Sequence, residues 1–377
     1  MDLEFDEEQS IMRKAVRGFL SKECPSDLVR AMRDDERGFP EELWASMAEL
    51  GWMGVIIPEE YGGSEGSFMD LAIILEAMGE ACTPGPFFST VVLGAQALLL
   101  SGSKIQKESL LPRIAAGEIV LALAQIEPGN CYGTSNIRTR ASKDRESYRI
   151  SGTKLFVENA HIADYILCVA RTEKGTDQDQ GLTLFLVDGA SPGIKCTPLK
   201  TLGYDKQCEV VFDDVSVSKE NVLGEVGRAA EVLKVLEQRA AVAKCAEMIG
   251  AIEKVLEMVM AYVQEREQFG HPIGSFQAVQ HHCANMAIDV DSSRFITYQA
   301  AWRISKGLPA TKEAAMAKAW TGDASNRVTR LGHQVHGAIS FCEEHDMHLY
   351  YRKVKAASIV FGDSEYHLEK LAQEFGL

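Results

Sequence analysis

Arg266-Glu267-Gln268-Phe269-Gly270-His271-Pro272-Ile273-Gly274-Ser275-Phe276-Gln277 is the stretch on which the reading turns. It predicts the end of one helix carrying an arginine, a Gly/Pro turn, and a new helix that opens on a glutamine. An arginine at such a turn suits a phosphate, because the guanidinium is a planar fork that donates two parallel hydrogen bonds. The same residues also read as a surface helix–turn–helix with a solvated arginine. Taken alone, they leave both readings open.

On either side the apolar pattern has the helical period. Upstream, the chain is helical from just after Gly227. Downstream, Phe276, Val279, Cys283, Met286 or Ala287, and Val290 mark one long helix, Ala314 to Ala319 continues an alanine-rich one, and Asp363 to Phe375 forms the last turns. The first third is helical as well. Asp6 with Gln9 forms a capping box ahead of the stripe Ile11, Ala15, Val16, Phe19 and Leu20. Further helical spacing runs over Glu41–Leu50, Met69–Met78 and Val91–Leu100. Between the helical parts the period changes. Ile119–Ile126, Tyr148–Val157 (two short strands about Ser151-Gly152), Gly181–Val187 and Glu209–Val217 predict strands, and Glu173–Gln180 an exposed hairpin loop. Helix, then strand, then helix is not an alternating βαβ pattern, so a doubly wound parallel sheet is excluded. The expected fold is α+β and multidomain: an N-terminal helical domain over 1–118, a central β-barrel or sandwich over 119–226, and a C-terminal four-helix bundle over 227–377.

Composition bounds the function. The chain has 377 residues, 39 basic against 54 acidic, for a net charge of −15. Such an anion is a poor general binder of nucleic acid or anionic membrane. No run reaches the roughly 18 apolar residues that span a bilayer. The acidic start, Met1-Asp2-Leu3-Glu4, is wrong for a secretory or transit peptide, so a cytoplasmic protein, or a mature matrix-type protein already cut, is expected. Nine dispersed cysteines without Cys-x-x-Cys fit a reducing compartment and small core residues. There is no Gly-x-Gly-x-x-Gly after a strand and no P-loop. The pairs His281/His282 and His345/His348 are expected to be surface histidines, so no metal is predicted.

The segment at Arg266 resembles the Arg-x-Gln-Phe-Gly signature, with its downstream glutamine, of the acyl-CoA dehydrogenase family of flavoproteins. Glu127-Pro128-Gly129 resembles that family's Thr-Glu-Pro-Gly loop. Gly152-Thr153-Lys154-Leu155-Phe156-Val157 resembles its Gly-x-Lys-x-(Trp/Phe)-Ile strand, and Gln334-Val335-His336-Gly337 its Gln-x-x-Gly-Gly turn. The loop Pro58–Gly63 matches too. The resemblance spans the whole chain. It implies FAD as cofactor, held between the β-domain and the C-terminal domain and completed by a neighbouring subunit in a tetramer. It implies α,β-desaturation of an acyl-CoA thioester in carboxylic acid degradation: a carboxylate takes the α-proton and the β-hydrogen leaves as hydride to flavin N5. Electrons would pass to an electron-transfer flavoprotein. Arg266, Phe269 and Gln277 would serve the neighbour's FAD, with Gln334 and Gly337 along the diphosphate. Ile126, Phe156 and Glu158 would be the chain's own flavin contacts.

The sequence departs from the family pattern at the base. Phe361 stands where the family's C-terminal glutamate would be, and an alternative position on the helix before Arg266 falls on Ala240. Glu247 lies seven residues on from Ala240. At about 100° per residue that is about 20° off the same face, shifted about 10 Å along the axis. Glu237, three residues before, is about 60° off. Glu247 is therefore the expected relocated base and Glu237 the second choice. The other reading of Glu247 is a buried carboxylate paired with Lys or Arg. The flavin-facing half is altered as well: Ile126 replaces a threonine, Asn130–Ser135 replaces Gly-Ser-Asp, and Glu158 replaces a hydroxyl residue. The neighbour-serving residues are nearly intact, with Ala338 for the second glycine of the turn. Three functions are consistent with this pattern. The chain could be a competent dehydrogenase, alone or as one of two subunit types. It could be a non-catalytic subunit that completes a partner's FAD in a heterotetramer. Or it could be a flavoprotein that acts on a CoA thioester without dehydrogenating it.

Overall fold

A computed structural model describes residues 5–129, 132–134, 136–173 and 180–377. Six helices come first: α1 (Glu7–Glu23), α2 (Ser26–Asp34), α3 (Glu41–Glu49), α4 (Phe68–Glu80), α5 (Gln96–Ser101) and α6 (Lys104–Ala115). Local chemistry sets their starts. Asp6, Ser67 and Ser103 each cap a helix in a capping box, the first with Gln9 as its sequence predicts. Val91–Leu100 is not one α-helix: Phe88–Ala95 winds as a π-helix before α5. Helix α4 is buried nearly all round, because it lies between α1 and the C-terminal helices.

Eight strands follow: β1 (Leu121–Ala124), β2 (Arg140–Asp144), β3 (Ser147–Glu158), β4 (Tyr165–Arg171), β5 (Leu182–Asp188), β6 (Ile194–Leu199), β7 (Gln207–Ser218) and β8 (Val222–Leu223). They form one sheet ordered β6-β7-β3-β2-β4-β5-β8, with β1 parallel to β4. The expected two strands at Tyr148–Val157 are one. Gly152 does not end β3; it marks a register shift against β7, and a second shift follows between Lys154 and Val157. Gly152 has φ +158° and an added Cβ would lie 2.4 Å from Thr139 Oγ1, so close approach, not a turn, explains the glycine. Strand β5 is buried from Leu182 to Val187, as its unbroken apolar run predicts. Of the predicted loop at Glu173–Gln180, residues 174–179 lie outside the described residues.

The C-terminal part comprises α7 (Ala229–Glu265), a two-stranded hairpin of β9 (Glu267–Gln268) and β10 (His271–Pro272), α8 (Gln277–Ser305), α9 (Thr311–His336), α10 (Met347–Ile359) and α11 (Ser364–Phe375). Helices α7 to α10 pack around Ile252, Val255, Val259, Met286, Val328 and Met347. Helix α7 also meets α4 at backbone distance. Gly79 and Gly250 face the opposite helix so closely that a Cβ on either would lie 1.8 Å from a carbonyl oxygen, that of Glu247 or of Glu76. One core cluster therefore runs from the N-terminal helices through β1, β4 and β5 into α7. No helix of the described residues is long and apolar enough to cross a membrane.

Candidate active site

The hairpin after α7 is built by two residues with positive φ, Phe269 (57°) and Gly270 (84°), which reverse the chain between Gln268 and His271. It projects from the bundle: Phe269 is 90% exposed. Arg266 caps α7 with its backbone N–H on Tyr262 O (2.8 Å), while its guanidinium is exposed and has no ion-pair partner among the described residues. Gln277 opens α8 and is exposed.

Helix α9 ends beside this hairpin. Tyr262, four residues before Arg266, stacks on His336 with ring centroids 4.4 Å apart and planes at 20°. Gly337 follows at φ 68°, ψ −145°, a conformation that demands glycine although an added Cβ would meet nothing within 4 Å. Gln334 and Gly337 are exposed, as are Ile339 and Phe341. The structure thus brings Arg266 and the Gln334–Gly337 turn to neighbouring helix ends. A free guanidinium and an open glycine cradle fit the diphosphate of a cofactor reached from outside this chain.

The central domain contributes differently. Lys154 is fully buried, and its Nζ lies 2.7 Å from Glu127 Oε1 and 3.2 Å from Gln125 O. Glu127 also accepts from the backbone N–H groups of Arg138 (2.6 Å) and Thr139 (2.9 Å). Burial opposes its charge, but Lys154 and the Thr139 N–H prevail and hold its carboxyl below the usual range. The two sequence motifs therefore meet as an ion pair that ties Glu127 and the Arg138–Thr139 backbone to β3. Ile126 lies across from Leu155, whose N–H donates to Ile126 O (2.8 Å). Phe156, at φ 55°, is half exposed. Glu158 opens into a cleft between α2, α4, α7 and α10. This half offers a branched aliphatic side chain at Ile126 and a carboxyl at Glu158, with no hydroxyl donor at those two positions. Asn130, Cys131 and Ser135 lie outside the described residues.

Glu247 lines the same cleft. Lys244 Nζ donates to Glu247 Oε2 and Lys353 Nζ to Oε1, each at 2.6 Å. Burial would raise this carboxyl, but the two ammonium groups pull it down to about 2. Ala240, at the alternative family position, is buried. Glu237 is held elsewhere: Gln125 donates to it, and the same amide donates to Gly133 O at 3.3 Å.

Phe361 keeps a special backbone without a base. It has φ 59° and is followed by Gly362 at φ 103°. Lys318, fully buried, donates to Ser358 O (2.9 Å) and Gly362 O (2.7 Å), and His367 Nε2 lies 2.8 Å from Phe361 O. The Phe361 ring stacks on Phe88 at 5.7 Å, and Lys244 Nζ sits 3.6 Å from the centre of the Phe88 ring. Sequence reasoning missed Lys244, Lys353 and Lys318. Lys244 stands three residues before Glu247, a helical spacing that could have flagged it; Lys353 and Lys318 gave no local signal.

The histidines correct one expectation. His348 is buried, with Nε2 3.1 Å from Glu343 O, and is not a surface residue. No group of three or more His, Cys, Asp or Glu among the described residues is arranged to hold a metal. Cys24, Cys82, Cys168, Cys208 and Cys245 are buried free thiols.

The order of a helical part, a sheet and a helical bundle is that of a class of FAD-dependent oxidoreductases acting on CH–CH bonds, as the comparisons with known proteins show. The models of the acyl-CoA dehydrogenase N-terminal, middle and C-terminal domains match residues 6–118, 122–215 and 232–376. A probable acyl-CoA dehydrogenase of Bacillus subtilis, YngJ, is 31% identical over 97% of both chains. The acyl-CoA dehydrogenase structure from Geobacillus kaustophilus superposes with a TM-score of 0.93 at 27% identity, covering 99% of each chain. The ChsE4-ChsE5 complex of Mycobacterium tuberculosis contains a chain that superposes with a TM-score of 0.91 at 28% identity, covering 100% of this chain and 99% of that one. The chain belongs to the acyl-CoA dehydrogenase family, and FAD is its cofactor.

Proposed function

We propose that this chain is one of two subunit types in a heterotetrameric acyl-CoA dehydrogenase. In this reading it completes a similar partner's FAD site and leaves proton abstraction to that partner. One observation carries the reading: neither family position for the base holds a carboxylate, and the relocated candidate, Glu247, is tied up by two lysines. Phe361 occupies the turn, Ala240 is apolar, and Glu247 is clamped by Lys244 and Lys353. A carboxylate held near 2 is a weak acceptor for an α-proton at neutral pH. FAD, when bound, supplies the hydride acceptor. This chain's residues position it: Arg266 grips diphosphate, Phe269 gives an apolar contact, and the Gln334–Gly337 turn lets backbone approach phosphate. A solved complex of two differently named chains, ChsE4-ChsE5, supports two-component assembly as a plan available to this fold. An electron-transfer flavoprotein would accept the electrons.

A second reading keeps Glu247 as the base, because it lines the same cleft as Glu158. Binding an acyl group would then have to separate it from at least one lysine. Flavin content and turnover of the chain expressed alone decide between them. Little bound FAD and no desaturation, both restored by co-expression with a similar chain bearing a C-terminal glutamate, is the expected result. One FAD per chain with turnover that Glu247→Gln abolishes would overturn it.

A further inference from the structure

The cleft that Glu158 faces has a volume of about 140 Å³, room for several waters. Much of its wall is apolar: Val29 and Met32 on α2, Leu75 and Met78 on α4, and Phe87 and Phe88. Set among these are two lysines and two glutamates, unevenly paired. Lys244 and Lys353 share one carboxylate, Glu247, each through one contact, although an ammonium has three protons to donate. The remaining candidate counter-charge is Glu158, on β3, whose carboxyl makes no hydrogen bond or ion pair among the described residues. Burial pushes its carboxyl up to about 7 against the pull of Lys244 and Lys353, with Asp205 and Glu247 pushing the same way. The other ionic groups of the lining are engaged. Asp205 accepts from Thr201 and Gln207, and Arg30 pairs with Asp27 and Asp346. Arg33 pairs with Glu343, Lys206 donates to the carbonyls of Arg33 and Asp35, and His348 bonds Glu343 O.

We propose that this cleft binds a carboxylate carried on an apolar body of several carbons, with Lys244 and Lys353 donating to the anion and protonated Glu158 donating a third hydrogen bond. The ligand anion replaces Glu158 as the counter-charge of the lysine pair, so binding is linked to a proton on Glu158. This goes beyond the function proposed above and does not depend on whether the chain holds its own FAD. The carboxylate can come from a free acid or from the far end of a dicarboxylic acyl-CoA.

Titration calorimetry on the full chain tests it, with octanoate and its neutral analogue octanamide as probes. Octanoate is expected to bind at least tenfold tighter than octanamide at pH 6. It should bind about tenfold weaker at pH 8 than at pH 6, because the proton must then be taken up. Glu158→Gln should remove that pH dependence, and Lys353→Met the preference for the anion; Lys353→Arg, which keeps the charge, should retain it if the fold tolerates the change. Adipoyl-CoA against hexanoyl-CoA separates the two sources: preference for adipoyl-CoA with the same pH dependence assigns the carboxylate to a thioester substrate, whereas the effect with octanoate alone assigns it to a free acid. Equal binding of octanoate and octanamide, or octanoate affinity independent of pH in the unmodified chain, overturns the proposal.

Discussion

Glu158 and Glu247 share one cleft and respond to it in opposite ways. The carboxyl of Glu247 is drawn down from 4.5 to about 2 by two lysines. It therefore stabilises the fold above pH 4.5, and that contribution is lost as pH falls from 4.5 towards 2. The carboxyl of Glu158 is pushed up to about 7 by burial. Its ionised form is disfavoured in the fold, so stability declines as pH rises from 4.5 to 7. Urea unfolding should show Glu247→Gln destabilised at pH 6 by on the order of 1–3 kcal/mol, with the difference closing near pH 2–3. Glu158→Gln should be more stable than the unmodified chain at pH 8 and equal to it near pH 4. Parallel pH profiles for the two variants would contradict this assignment. Glu247 could be placed from sequence, since seven residues return to the same helix face. Its lysines set its chemistry, and Lys353 lies on another helix more than a hundred residues away. Helical period locates a side chain on its own element; it carries no information about what a distant element brings to it. Elsewhere the pairing of Lys154 with Glu127 turns two motif residues into a structural unit. Lys154→Met leaves Glu127 buried and uncompensated, which costs about 3–5 kcal/mol; the midpoint of urea unfolding would measure it, and Lys154→Met/Glu127→Leu should recover most of the loss.

Elements were legible where period and caps agreed. The box at Asp6 and Gln9, the buried run of β5 and the long helices after Gly227 all follow from local rules. The π-helix at Phe88–Ala95 was not, because five-residue and four-residue hydrogen bonding leave similar apolar spacing over two turns. Nor was the role of Gly79 and Gly250, for which the local sequence carries no signal. Their role appears only when α4 and α7 are placed together, with each glycine lying against the opposite backbone. Gly250→Ala should therefore lower stability by about 1–3 kcal/mol or more through overpacking. Gly18→Ala is the matched control: it sits inside α1 with nothing within 4 Å of an added Cβ, and should stabilise by roughly 0.5–1 kcal/mol. Thermal melts of both variants read the contrast. Similar shifts in the same direction would mean that α4 and α7 do not meet at backbone contact.

At the scale of the whole molecule, two of the four most exposed large apolar side chains among the described residues lie where the proposed assembly needs them. Phe269 is 90% exposed and Phe341 74%, at the hairpin and just past the turn that carry Arg266 and Gly337. Within this chain Phe269 is in edge-on contact with Phe276, ring centroids 6.0 Å apart; burying it fully against a partner contributes about 1.5–3 kcal/mol more. Arg266 adds a charge-assisted fork for diphosphate from the same hairpin. Phe269→Asn is the informative substitution, because asparagine tolerates the positive φ at this position and the turn keeps its shape. The variant alone should melt within about 1 °C of the unmodified chain, as a surface change does. In the co-expressed assembly it should weaken FAD retention about ten- to a hundredfold, the equivalent of the lost contact, read from flavin absorbance after gel filtration. Arg266→Ala should act in the same direction and make the remaining affinity less sensitive to salt, since the contact removed is ionic. If both variants retain FAD and tetramer unchanged, the hairpin does not reach the partner's cofactor, and the Gln334–Gly337 turn would have to hold the diphosphate without it.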